Sequence, residues 1–424
     1  MRILLISAAN DAGIMVPLPL GLACVAAATE EAGHQVRLLA LGSDADCENE
    51  VRHAIERLSP DVIGVSVRNI DDQNMQSPRF LLASLRQVIS ASRASSAAPI
   101  VLGGAGYSIF PQSVLTYLGA DIGIRGEGEA AFPALLAWLK QGRQSSPPPA
   151  AYFPNGSHSP LVFAPALDDF LLPAPRLWLD FPGSREMRIP VQTRRGCPLD
   201  CIYCSTSAIE GRPIRRRSPK SVVAWLTALW QSGFRHFHFV DNTFNLPPSY
   251  AKELCRKLIE AQLDLDWWAI IYPKWVDGEL AELMAKAGCT QVSLGFESGS
   301  ETMLPQLNKR FTCTEVKTIS DTVAAVGIER YGFLLLGGPG ETKETVEESL
   351  EFADNLHLDM LKITVGLRIY PQTPLAHAAL AEGLISSDDD LLFPRFYITP
   401  RLRDWLPNRI GAERLRLPDW QRCA

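Results

Sequence analysis

Arg195-Gly196-Cys197-Pro198-Leu199-Asp200-Cys201-Ile202-Tyr203-Cys204 follows closely on the apolar run Ile189-Pro190-Val191. The cysteine spacing is C-x3-C-x2-C, in a loop expected at a strand end, with Gly196 and Pro198 shaping the turn. Three thiolates this close together can hold three irons of a 4Fe–4S cube and leave the fourth iron open to another ligand. A structural zinc site wants a fourth ligand to close its tetrahedron. The next cysteine, Cys255, falls in a helical pattern, and His236 and His238 fall in an expected strand. Electron-transfer ferredoxin loops use another spacing and a fourth cysteine. Nine cysteines is an odd number, and six of them are scattered singly, which argues against a disulfide framework.

The chain has 424 residues, enough for two domains with sizeable cores. Its 46% hydrophobic and 21% charged content is that of an ordinary globular protein. A net charge of −6 gives no electrostatic reason to expect a nucleic-acid partner. The opening Met1-Arg2-Ile3-Leu4-Leu5-Ile6 reads as a first strand, being too short for a signal sequence. No run approaches the ~20 apolar residues of a membrane span. These features predict a cytoplasmic protein, a reducing setting that suits an oxygen-sensitive cluster.

Residues 1–142 alternate short apolar runs with helical patterns. Strands are expected at Arg2–Ser7, Gln35–Leu41, Asp61–Val67, Pro99–Gly103 and Asp121–Ile124, with helices at Leu18–Ala32, Cys47–Leu58, Arg79–Ser92, Phe110–Leu118 and Glu129–Lys140. This spacing predicts a doubly wound parallel sheet, whose ligands bind at the carboxyl ends of the strands. Residues 143–187 are proline-rich and read as a linker that packs on a surface. From 188 to 384 the alternation resumes. Expected strands are Arg188–Thr193, His236–Asp241, Asp266–Tyr272, Gln291–Phe296, Tyr331–Leu336 and Leu361–Ile369, each followed by a helical pattern. Six units are two short of a closed eight-fold barrel, so the fold class is α/β with a partial (β/α)6 barrel that works at its C-terminal strand ends. Residues 385–424 form a C-terminal extension with no period to read.

With these motifs in order, the barrel resembles the radical S-adenosylmethionine (SAM) enzymes. In that family the open iron is chelated by SAM, and an electron from the cluster cleaves SAM to a 5′-deoxyadenosyl radical. The protein positions and tunes these groups. The resemblance implies that Cys197, Cys201 and Cys204 hold the [4Fe-4S] cluster, with Tyr203 as the family's aromatic beside adenine. Val240-Asp241-Asn242-Thr243 resembles the segment for the SAM amino group, which implicates Asp241 and Asn242; a turn-forming Asp-Asn pair is the plainer reading. Gly295-Phe296-Glu297-Ser298-Gly299 resembles the segment that meets the ribose or methionine end, through Glu297 and Ser298; an N-cap is its plainer reading. Leu336-Gly337-Gly338-Pro339-Gly340-Glu341 resembles the adenine corner, with Gly337 and Gly338 letting backbone approach a flat base. Arg368, in Leu367-Arg368-Ile369-Tyr370-Pro371, could pair with a carboxylate of SAM or substrate, or lie solvated.

The amino-terminal sheet resembles the flavodoxin-like, cobalamin-binding domain found ahead of such barrels. The resemblance rests on Pro17-Leu18-Pro19-Leu20-Gly21, Ser66-Val67-Arg68-Asn69, Gly103-Gly104-Ala105-Gly106 and Gly126-Glu127-Gly128. It implies corrinoid contacts at Ser66, Arg68, Asn69, Gly103, Gly104, Gly126 and Glu127. The first loop, Ala8–Ile14, holds no histidine, and His34 and His53 sit on or beside helical patterns. The expected cofactors are therefore a cluster, SAM, and cobalamin without a histidine lower ligand.

These implications converge on a cobalamin-dependent radical SAM enzyme, a methyltransferase acting on an unactivated carbon of a small molecule, with a flavodoxin- or ferredoxin-type electron donor. No side chain is assigned as acid or base. A cyclase or rearrangement enzyme with the same cofactors, and a non-catalytic cluster-binding protein, stay open. Trp267, Trp268, Tyr272 and Trp275 read either as pocket lining or as ordinary core and rim, the latter being favoured.

Overall fold

The computed structural model describes residues 1–7, 18–42, 46–179, 181 and 184–416. The chain packs as two compact units. One comprises Met1–Asp72, Arg79–Ser184 and Ser205–Gly211; the other comprises Gln73–Pro78, Arg185–Cys204 and the chain from Arg212 onward.

In the first unit β1 (Arg2–Ser7), β2 (Gln35–Ala40), β3 (Val62–Ser66), β4 (Ile100–Gly103), β5 (Ile122–Ile124) and β6 (Ala151–Tyr152) form one sheet in the order β2-β1-β3-β4-β5-β6. Strands β1 to β5 are parallel, and β6 returns antiparallel on β5. The inner strands β1, β3, β4 and β5 are short, rich in Ile, Val and Leu and mostly buried, as a sheet with helices on each side requires, whereas the edge strand β2 is half-exposed. Leu22, Ala26, Phe132, Leu135, Leu136 and Trp138 pack on Ile3, Leu5, Val62, Val101 and Ile122 to make one core cluster. The helix Cys47–Leu58 starts at Asp46, whose side chain accepts from Asn49 N at 3.2 Å. The strand order reverses between β1 and β3, the switch point where doubly wound sheets bind ligands.

The second unit holds six parallel strands in sequential order: β7 (Ile189–Val191), β8 (His236–Phe239), β9 (Asp266–Ile271), β10 (Cys289–Glu297), β11 (Glu329–Leu336) and β12 (Met360–Val365). This is the expected partial barrel. The intervening helices begin where the sequence offers caps: Ser218 accepts from Ser221 N at 3.2 Å, Thr312 and Glu315 form a capping box, and Thr373 precedes Pro374.

Two expectations are corrected here. The proline-rich stretch contributes β6, because Ala151 and Tyr152 are buried against Ile124 and Gly123; two residues are too few for a period to show. The single strand expected over Leu361–Ile369 is interrupted at Gly366, which has a φ of +80°. Leu367–Arg368 turns away to pair antiparallel with Phe396–Tyr397 of the C-terminal extension. Trp267 lies in the core, its Nε1 donating to Ala287 O at 2.7 Å, whereas Trp275 is an exposed rim residue.

Gly123 shows how tightly the first sheet is packed. A Cβ built there would lie 1.7 Å from Tyr107 Oη, and that hydroxyl has no hydrogen-bond partner among the described residues. Gly123→Ala should cost about 1–3 kcal/mol, and adding Tyr107→Phe should recover part of it. Tyr107→Phe alone should be neutral or slightly stabilising, since it deletes an unsatisfied polar atom. Urea unfolding of the two single variants and the double variant checks these expectations.

Candidate functional site

The cysteine loop leaves β7 through Thr193 and the pair Arg194–Arg195, which ladders antiparallel on Arg215–Arg216; beyond that pair it has no ladder of its own. It is fastened from outside instead. Asn308 Nδ2 donates to Asp200 O at 2.9 Å, Arg310 pairs with Asp200 Oδ1 at 2.6 Å, and Ile202 N donates to Leu307 O at 3.4 Å. On the other side Leu375 N donates to Ile202 O at 3.0 Å. Residues 307–310 also join the end of β9, because Arg310 N donates to Tyr272 Oη at 2.9 Å. Cys197 is buried, while Cys201 and Cys204 are partly accessible. Burial pushes the thiols of Cys197 and Cys201 up, and the other thiols of the triad push in the same direction.

Beside the triad stands a second cluster. Tyr203 Oη donates to Glu297 Oε1 at 3.0 Å, and Lys309 Nζ lies 3.5 Å from the same oxygen and 5.4 Å from the centre of the Tyr203 ring. Burial, then the Glu297 carboxylate, holds the Tyr203 hydroxyl well above its usual pKa, so it stays a donor. Glu297 itself sits at a φ of +64°, where the register of β10 on β11 shifts. A bulge with left-handed backbone at a strand end re-aims a side chain, and non-glycine residues adopt it at a cost of about 1–3 kcal/mol.

The remaining strand ends are knitted to each other. Asp241, at the end of β8, accepts from Thr193 N at 2.8 Å, Thr193 Oγ1 at 2.6 Å and Arg194 N at 3.1 Å. Asn245 donates to Tyr272 O and Lys274 O at 2.9 and 2.7 Å and accepts from Tyr272 N at 2.9 Å. Ser298 Oγ pairs with Ser349 Oγ at 2.9 Å. At the end of β11, Glu341 accepts from the amides of Gly337 and Gly338, and Thr399 bonds both their carbonyls, N to Gly337 O at 2.9 Å and Oγ1 to Gly338 O at 2.6 Å. Arg368 donates to Ile369 O at 2.6 Å and Leu391 O at 2.8 Å.

In the first unit three strand ends meet. Gly106 N donates to Arg68 O at 2.9 Å, and Ser108 Oγ joins Gly104 O at 2.8 Å to Gly126 N at 2.9 Å. A Cβ on Gly104 would lie 2.6 Å from Val67 O and 3.2 Å from Ser66 Oγ. Glu127 accepts from Ala164 N at 2.8 Å. Ser66, Asn69, Gly103, Gly104 and Gly126 line this rim half-buried, and Arg68 is exposed. Ala8–Pro17, including the loop read for its lack of histidine, lies outside the described residues. His34 meets the amino terminus, Nδ1 lying 3.3 Å from Met1 N, and His53 is exposed on its helix.

The Radical SAM superfamily model matches residues 191–353, and the B12 binding domain model matches residues 8–136. The chain belongs to the cobalamin-binding radical SAM family. It is 27% identical over 376 residues to an uncharacterized methyltransferase, PH0819, of Pyrococcus horikoshii, covering 87% of this chain and 79% of that one. It is 27% identical over 432 residues to tryptophan 2-C-methyltransferase of Streptomyces laurentii, covering 86% and 72%. In fold it is similar to the radical S-adenosylmethionine methyltransferase TsrM of Kitasatospora setae, solved with tryptophan and a SAM analogue. That TM-score is 0.84 at 23% identity, covering 96% of this chain and 88% of that chain.

The residues present fit the family's cluster. Among the described residues no three His, Cys, Asp or Glu side chains gather as one metal ion needs. A cube tolerates a wider triad, because each thiolate binds its own iron. Thiols that resist ionising through burial and mutual repulsion call for the cationic charge that iron supplies. Three side chains expected at SAM are turned elsewhere. Asp241 is fully buried with both oxygens engaged at the end of β7, Ser298 is fully buried against Ser349, and Arg368 is buried on carbonyls of the extension. Arg368 is buried rather than solvated, and it fixes residues 391–392. Tyr203, Asn242, Glu297 and the Gly337–Gly338 corner remain at the rim. Lys309 and Arg310 escape sequence reading because they follow a single helical turn, Met303–Gln306, with no motif; a cation shortly after the Glu297 strand end is the one signal that could have pointed to them.

Two predictions follow from this geometry. Cys197→Ala, Cys201→Ala and Cys204→Ala should each abolish the visible absorbance of the anaerobically reconstituted cluster. Glu341, buried with Oε1 lacking a partner among the described residues, has its pKa raised by desolvation to about 7, against the two glycine amides that lower it. Its folded pKa exceeds its unfolded one, so its proton stabilises the fold below about pH 4.5, and that contribution fades as pH rises to about 7. The loss is on the order of 3 kcal/mol. Glu341→Gln keeps an acceptor for both amides and should flatten stability between pH 5 and 7, as denaturant titrations at several pH values would record.

Proposed function

We propose that the chain is a cobalamin-dependent radical SAM methyltransferase that methylates an unactivated carbon of a small metabolite. The observation that carries this reading is the coexistence of a cysteine triad at the first barrel strand end with a B12-binding domain in one chain. The similarity to two methyltransferases along most of the chain supports it. When bound, SAM on the reduced cluster supplies a hydrogen-abstracting radical, and cobalamin supplies a transferable methyl group.

The chain's own part is to hold and orient. Cys197, Cys201 and Cys204 would ligate the cluster, and the straps at Asp200 and Ile202 keep their loop stiff. Tyr203 would pack against the adenine of SAM. Glu297, held by Tyr203 and Lys309, would accept hydrogen bonds from the ribose or the SAM amine. Asn242 and the Gly337–Gly338 corner complete that rim. Ser66, Arg68, Asn69, Gly103, Gly104, Gly126 and Glu127 mark the corrinoid side, Glu127 acting by anchoring Ala164. Fixing both reactants replaces a bimolecular encounter by an oriented one. Among the described residues no helix is long and apolar enough to cross a membrane. We place the protein in the reducing cytoplasm, served by a flavodoxin- or ferredoxin-type donor, with a small-molecule substrate and no nucleic-acid partner.

The test supplies anaerobic, reconstituted protein with reductant, methylcobalamin, methyl-labelled SAM and candidate metabolites, tryptophan among them. Labelled methyl in a product is the expected outcome. Formation of 5′-deoxyadenosine with an unlabelled, rearranged product would replace methyl transfer by cyclisation or rearrangement. SAM left intact with every metabolite would leave a cluster-binding protein.

A further inference from the structure

We propose that the basic ribbon after the cysteine loop is the docking surface for an acidic one-electron donor protein. The inference rests on the cluster assignment above. From Arg212 to Lys220 the chain reads Arg-Pro-Ile-Arg-Arg-Arg-Ser-Pro-Lys, five cations without a carboxylate, in a chain whose net charge is −6. Arg212, Arg216 and Lys220 are exposed. A solvated cationic face is the ordinary meaning of such a run, but its place in this fold gives it another.

The ribbon is hydrogen-bonded directly to the backbone that carries the first thiol. Arg216 pairs with Arg194 and Arg215 with Arg195, and Arg195 continues through Gly196 into Cys197. It is also stiff. Arg217 is buried, its amide donating to Thr193 O at 2.8 Å, and Tyr250 Oη donates to Arg217 O at 2.9 Å. The Arg216 guanidinium lies 5.4 Å over the Tyr250 ring. Asp200, a carboxylate near this face, is drawn to Arg310 at 2.6 Å and stands 3.9 Å from Arg212. Arg310 itself, half-exposed, extends the positive field along the cysteine loop.

An acidic partner is repelled by the bulk of an acidic chain and drawn to its cationic edge. Steering of this kind raises association rates by about 10- to 1,000-fold and orients the encounter. Here it would bring the donor to the strand end that carries Cys197. In the transfer the donor loses one electron and the cluster gains it, with no bond formed or broken in this chain.

The experiment uses anaerobic, cluster-loaded full-length protein and flavodoxin, a small acidic flavoprotein. Binding of oxidised flavodoxin and the rate of cluster reduction by reduced flavodoxin are measured for the native protein and for the triple variant Arg212→Glu, Arg216→Glu, Lys220→Glu. We expect the variant to weaken binding and slow reduction by about tenfold or more at low salt. The difference should shrink as the Debye length falls below about 8 Å. Cluster absorbance should be unchanged, and reduction by the small methyl viologen radical cation should be equal or faster. Equal flavodoxin binding and equal rates in the two proteins would overturn the proposal. Tighter binding of a single-stranded RNA oligonucleotide, lost in the same variant, would overturn it in favour of nucleic acid. Native protein that holds no cluster would fail the functional reading, while the binding arm still judges the surface.

Discussion

A loop that presents three thiols has to keep its shape without a β-ladder or a helix, since its backbone must be left free to curve around what it holds. Here the shape is imposed from neighbouring strand ends. Residues 307–310 grip Asp200 and Ile202, and Leu375 grips Ile202 from the far side of the barrel. Asp241 ties the loop's approach, Thr193 and Arg194, to the end of β8. These contacts span long sequence separations, so the loop becomes rigid only once the parallel strands have assembled. The order is physically sensible: a preorganised triad avoids the entropy of ordering a long loop at the moment of binding.

The two ends of the barrel divide the labour in the way parallel barrels do. At the amino-terminal ends, Arg188, His236 and Thr290 all bond Asp266. Burial would raise Asp266, but those bonds bring it below its usual range, which makes it a stability device. At the carboxyl-terminal ends the polar groups are more strained. Glu297 sits in left-handed backbone, Lys309 is buried, and Glu341 keeps one oxygen without a partner among the described residues. Costs of this kind gather where a structure needs side chains in fixed, otherwise unfavourable positions.

Element positions were readable because the strands are mostly short apolar runs bounded by turn residues, and several barrel helices open on a cap such as Ser218, Thr312 or Thr373. The motif segments likewise fall at strand ends as their order implied. What the sequence could not show was direction. Asp241, Ser298 and Arg368 occupy the expected places and spend their hydrogen bonds on the protein, since one residue of register or one rotamer decides whether a side chain faces ligand or neighbour. The pairing β5–β6 was hidden by its two-residue length, and Lys309 by the absence of any periodic context. Tyr203 and Glu297, by contrast, were legible and do meet, across a separation no local pattern encodes.

The glycine-rich corners carry the last step. At Gly337 and Gly338 the amides are taken by Glu341 and the carbonyls by Thr399, so this corner offers a ligand its flat surface and hardly any free hydrogen bonds. At Gly104 and Gly106 the missing side chains let the loop after β4 lie on the backbone of Val67 and Arg68. Both corners are thus shaped by backbone packing first, and any bound group must adapt to walls already fixed. On the proposed function, selectivity for the polar parts of such a group would fall to few side chains, with Glu297 the one whose bulged backbone, tyrosine donor and buried lysine all hold it in place. A carboxylate held by one neutral donor and one cation keeps acceptor capacity for a third partner, which is the property a positioning contact to a cationic amine or a ribose hydroxyl requires.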